Sequence, residues 1–177
     1  MVKFAHMDTL VNKVAESGII TLNLESFLPN QVMPFDLKPF LFMELILKEK
    51  DFRAALLAHD WSQYQQAHVA IYCSTDAIIP VWAYMLVAQY LQPHVASLSM
   101  STPEAAAVQL CLRNIEAMDL QPYIDQRVVI KGCGEIPIPD AAYSAVTFKL
   151  RPVVKSLMYG EPCSTVPIFK RKAIQPA

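Results

Sequence analysis

From Val69 onward, short β-branched runs alternate with helical patterns, and this rhythm limits the fold of the chain more than any other feature. Residues 69–73 read as a strand, residues 80–91 as an apolar helix opened by Pro80, and residues 95–99 as a second strand. Thr102, Pro103 and Glu104 then form a helix start. Threonine caps, proline suits the first helical position, and glutamate faces the positive end of the helix dipole. Residues 128–131 make a third strand, 140–150 a helix and 154–159 a fourth strand. Strand ends near positions 73, 99, 131 and 158 lie about thirty residues apart, the size of a βαβ unit. The expected fold is a three-layer α/β domain, with a mostly parallel sheet of four or more strands and helices on both faces.

The first third of the chain reads as an N-terminal helix and strand extension. Leu10, Val11, Val14 and Ala15 have helical spacing and Gly18 is placed to end that helix; Ile20, Leu22 and Leu24 then alternate as in a half-buried strand. Residues 25–39 carry Pro29, Pro34 and Pro39 and read as a loop, whereas residues 40–47, whose periodicity fits a strand or a helical turn, read as a helical turn passing into a strand near residues 45–48. Asp51 is placed to cap a further helix. A chain of 177 residues suits a single domain, with residues 1–66 packed on a core of 67–165 and a tail at 166–177.

Composition removes several functions. Fifteen basic and sixteen acidic residues leave a net charge of -1, which gives no electrostatic footprint for nucleic acid or an anionic membrane. The longest apolar stretch, residues 78–88, contains Pro80 and falls short of the ~20 residues of a membrane span. With no secretory signal at the start, the expected location is cytoplasmic, where the four cysteines are thiols or ligands rather than disulfides. The hydrophobic share of 54% suits a large core or a self-association surface.

The candidate chemistry gathers at cysteines. Only four glycines occur, and Gly132 and Gly134 bracket Cys133 while Gly160 precedes Cys163 by three residues. Glycine serves positive φ or close approach, so Gly132 and Gly134 are expected to shape a binding loop, at least one of them with positive φ. Cys73, Cys133 and Cys163 each follow a strand, and in a doubly wound order three of those strands would be neighbours with their cysteines at one edge. A short echo, Cys73-Ser74-Thr75 against Cys163-Ser164-Thr165, accompanies them. Three sulfurs would suit zinc or an iron–sulfur cluster, with His59 or Asp76 as a further ligand, but no CxxC pair is present, and the three serve equally as buried or half-exposed structural cysteines. A second reading makes Cys133 or Cys163 the nucleophile or sulfur carrier of a thiol enzyme. A third is a non-catalytic adaptor or dimerising domain, using Trp82, Tyr84, Met85 and Tyr90, which serve equally as core. Cys111 sits in a helical apolar pattern and reads as core; His59 and Asp60 beside Trp61 read as a helix end.

The strings VNKVAESGIITLNLE, KEKDFR, HDWSQYQ, STDAIIPVWAYML, RVVIKGC and KSLMYGEPCSTVP span nearly the whole chain. With them the sequence resembles an uncharacterised bacterial family, domain of unknown function 2480. The resemblance implies a link to iron–sulfur cluster assembly, whose genes neighbour those of this family, and so a protein partner in that process.

Overall fold

The computed structural model describes residues 18–132, 134–161 and 164–172. The expected helix over residues 8–17 lies outside them. The chain forms two compact units: a continuous one, Phe27–Asn114, and a split one made of Met1–Ser26 with Ile115–Ala177.

The continuous unit holds β2 (Val32–Asp36), α1 (Glu49–Ala58), β3 (His68–Tyr72), α2 (Val81–Leu91), β4 (Ser97–Met100) and most of α3 (Pro103–Ala117). Its three strands form a parallel sheet in the order β2-β3-β4. Val69, Ala70 and Ile71 follow one another on β3 and are all buried. Successive strand residues face opposite ways, so this central strand is covered on both sides. Ala83, Val87 and Leu91 recur along one face of α2 and complete the core with Phe35, Leu37, Phe52 and Leu56. Pro34 does not disturb the sheet, because β2 is an edge strand with an unpaired side.

The split unit holds β1 (Ile19–Leu22), β5 (Arg127–Ile130), α4 (Asp140–Leu150), β6 (Ser156–Glu161) and β7 (Ser164–Lys170). Its sheet has the order β1-β5-β6-β7, parallel except for the β6–β7 hairpin. This is the mostly parallel, four-stranded sheet that the sequence predicts. The strand series from Val69 onward nevertheless divides between two sheets. β3 and β4 pair with β2, and β5 and β6 pair with β1, so the expected adjacency of the cysteine-bearing strands holds only for β5 and β6.

The two units repeat one design. His68, Val69 and Ser97 correspond to Arg127, Val128 and Ser156, 59 positions later in each case, and the ladder registers coincide. The first strand of each unit obeys a second constant shift, Val32 pairing with His68 as Ile19 pairs with Arg127. Local hydrogen bonds follow the same correspondence. Asp60 accepts from the Ser62 amide at 3.0 Å and Asp119 from the Gln121 amide at 3.0 Å. Gln66 and Asp125, with φ of 56° and 55°, both turn the chain into the following strand. Their amides donate to His94 O and Val153 O at 2.7 and 2.9 Å. Ala83, Val87 and Leu91 match Ala142, Val146 and Leu150, and Phe52 and Leu56 match Cys111 and Ile115, all of them buried. Identity between the copies is thus concentrated where packing demands it.

Candidate functional site

In a parallel sheet, ligand sites form beyond the carboxyl ends of the strands, where loops enter the helices. In the split unit this edge is built by the ends of β1, β5 and β6. The Lys131 amide donates to Leu22 O at 2.9 Å, extending the β1–β5 ladder by one step. The chain then makes a loop up to Pro139, which fixes φ at -58° immediately before α4.

That loop is held by a carboxylate from β1's exit. Asn23 Oδ1 accepts from the Glu25 amide at 3.1 Å, an Asx turn that brings the Glu25 side chain back across the edge. Glu25 Oε1 accepts the Glu135 and Ile136 amides at 2.6 and 3.3 Å, and Oε2 accepts from Asn23 Nδ2 at 3.0 Å. Glycine is required on both sides of residue 133. A Cβ on Gly134 would overlap the Glu25 carboxylate, and one on Gly132 would lie 2.9 Å from Tyr159 Cζ. Gly132 does not have a positive φ; close approach accounts for it, as it does for Gly134. Tyr159 of β6 donates from its hydroxyl to Gly132 O at 3.5 Å and meets Tyr143 of α4 edge-on, with centroids 5.6 Å apart. Beside the loop lies a cleft of about 480 Å³ lined by Glu135, Ile136, Asp140, Tyr143 and Tyr159.

Glu25 is held below the usual glutamate range by the Asn23 amide, the Ile136 and Glu135 N–H groups and the nearby Lys131 charge, which together outweigh the opposing effect of burial. Its folded value is lower than its unfolded one. Its contribution to the loop is therefore complete above the ordinary glutamate range and is lost as pH falls through the folded value. A carboxyl titration followed by NMR should give a midpoint below that of free glutamate, with the Glu135 and Ile136 amide signals moving in step. A midpoint at or above the ordinary range would contradict the clamp.

The continuous unit has a matching clamp on its own loop. Asp36 Oδ1 accepts from the Lys38 and Ser74 amides at 2.9 and 3.0 Å, and Oδ2 from Ser74 Oγ at 2.5 Å. Burial raises its pKa, but these hydrogen bonds outweigh it and the carboxyl lies below the usual range.

A family model described as "Protein of unknown function (DUF2480)" matches residues 8–171. The chain belongs to this family. Neither a curated protein nor a solved structure matches it.

In this DUF2480 member three of the sequence-predicted site residues, Cys73, His59 and Asp76, fall in the continuous unit. Cys73 immediately follows β3 and is half-buried against the core of the continuous unit. His59 sits among aromatic rings. Its imidazole meets Phe35 and Trp61 edge-on, with centroids at 5.5 and 4.7 Å, and its Nε2 lies 3.4 Å from the Tyr64 hydroxyl. Asp60 caps the short 3-10 turn Trp61–Tyr64 and His59 ends α1, so the pair lies at a helix end as the sequence predicts. Asp76 is exposed on the loop before α2. Cys133 and Cys163 lie outside the described residues. Among the described residues no group of three or more His, Cys, Asp and Glu side chains is arranged to hold a metal ion. Trp82, Tyr84 and Tyr90 pack against the core, while Met85 is exposed. No helix of the described residues is long and apolar enough to cross a membrane.

Sequence reasoning missed Glu25, Asn23, Asp36, Tyr143 and Tyr159. The signal for the first three was present: Asn23-x-Glu25 and Asp36-x-Lys38 each follow an apolar strand, the pattern of an Asx turn at a strand exit.

Proposed function

We propose that this protein works through a pair of thiols, Cys133 and Cys163, at the carboxyl edge of the four-stranded sheet beside the Tyr143–Tyr159 cleft. One observation carries the reading: β5 and β6 are adjacent and parallel, with Ile130 opposite Tyr159, and Gly132 is pressed against Tyr159. In the chain Cys133 follows β5 by three residues, and Cys163 falls in the two-residue connection between the paired Glu161 and Ser164. Two sulfurs at one edge suit a thiophilic ligand, zinc or an iron–sulfur unit, and the iron–sulfur assembly machinery is then the partner to test. Cys73 belongs to a different sheet and matches Gly132, not Cys133, in the repeat.

Protein purified anaerobically is expected to retain zinc or iron that Cys133→Ser and Cys163→Ser lose and Cys73→Ser and Cys111→Ser keep. After chelation, alkylation at pH 7 should label Cys133 and Cys163 before the buried Cys111, whose thiol pKa is raised by burial. Absence of metal together with inert Cys133 and Cys163 would reject the thiol reading. A second reading then comes forward, self-association through Ile78, Val81 and Met85, which are 95%, 71% and 67% exposed at and just before the start of α2. A monomeric mass in solution would remove that one.

A further inference from the structure

A second site lies at the opposite, amino edge of the continuous unit. The first residues of its three strands form one register row, Val32, His68 and Ser97. His68 Nδ1 lies 2.7 Å from Ser97 Oγ, and two residues along β4 the Ser99 hydroxyl lies 2.9 Å from Ser101 Oγ. α3 faces this row with Ala106, Gln109, Leu110 and Arg113, whose spacing places them on one helical stripe. Between helix and sheet is a cavity of about 200 Å³.

The cavity floor is apolar, but its hydrogen-bonding groups are His68, Ser97, Ser99, Gln109 and Arg113. Among the described residues no Asp or Glu lines it, and Arg113 forms no ion pair. A cationic guanidinium, hydroxyls, an amide and an imidazole around a space larger than a single water but smaller than a drug-sized pocket match a small oxyanion. The fold itself does not require this lining. In the other copy of the repeat Arg127 stands at the His68 position and Met158 at the Ser99 position, and the strand there is followed by β7 instead of a helix. We infer that the cavity under α3 binds a small molecule bearing a phosphate or carboxylate group, with Arg113 and the Ser97–Ser99 hydroxyls as its anion contacts.

The test is a titration of the full chain with inorganic phosphate and, separately, with malonate, followed by amide NMR shifts and calorimetry. The expected result is saturable shifts at His68, Ser97, Ser99 and Gln109 with at least one anion, the stronger of the two identifying the ligand's head group. Arg113→Ala, at an exposed helix position, should weaken binding by about tenfold or more. Ser99→Met places in the cavity the residue that the other copy carries, and should block binding while the chain still folds. The inference is overturned if neither anion gives saturable shifts at these residues, if the shifts map elsewhere, or if Arg113→Ala binds as tightly as the parent.

Discussion

Replacing Phe52 by alanine is expected to destabilise the continuous unit by about 3 to 5 kcal/mol, read from chemical denaturation. Phe52 is fully buried on α1 and meets Phe40 and Trp82 edge-on, with centroids 5.6 and 6.1 Å away. Truncation removes both the transfer energy of the ring and two aromatic contacts, and it leaves a cavity that Phe40 and Trp82 are too rigid to fill. A loss below about 1 kcal/mol would mean that the site collapses freely and that this aromatic layer is not the core's anchor.

Most of the elements were legible in the sequence, because β3, α2, β4, α3, β5, α4 and β6 all announce themselves by periodicity and proline starts. Two strands were not. β2 contains Pro34 and β7 contains Pro167, and proline argues against a strand unless the strand is known to lie at an edge, which is a fact about partners. Partners are what local pattern omits. The spacing of about thirty residues gives βαβ units but is silent on whether successive strands share a sheet, so the division between two sheets was invisible. Residues 40–47 also resisted reading. Met43 and Glu44 adopt positive φ in a tight turn closed by the Phe42–Ile46 bridge, a conformation that neither helical nor strand periodicity encodes.

The candidate site was half legible for a similar reason. Glycine scarcity drew attention to the loop around residue 133, but the neighbours that Gly132 and Gly134 approach closely, Tyr159 and Glu25, come from distant parts of the chain. The Cys-Ser-Thr echo drew attention to the wrong correspondence. The informative one was the shift of 59, carried by Val69 with Val128, Pro80 with Pro139, Tyr84 with Tyr143 and Leu98 with Leu157. Under that correspondence Cys73-Ser74-Thr75 aligns in sequence with Gly132-Cys133-Gly134, while His68 and Ser99 stand at the ladder positions of Arg127 and Met158.

Gly160→Ala should cost about 3 kcal/mol, the upper end for a strained backbone position, and should disturb the proposed thiol site as well. Gly160 has φ +121°, a region that side chains with a Cβ rarely adopt, and it lies within β6 opposite Thr165. An added Cβ would stand 2.5 Å from Ser164 O, a backbone atom that cannot retreat without breaking the β6–β7 pairing. Relief is therefore available only by opening the hairpin whose connection carries Cys163. The comparison is Gly134→Ala, where the overlap is with the end of the Glu25 side chain; that chain can swing aside, so the expected effect is a released loop with a smaller loss of global stability. Denaturation midpoints and the alkylation rate of Cys163 measure the two consequences separately. If Gly160→Ala matches the parent in both, the hairpin tolerates the strain and the shape of the β6–β7 turn is not what positions the second thiol.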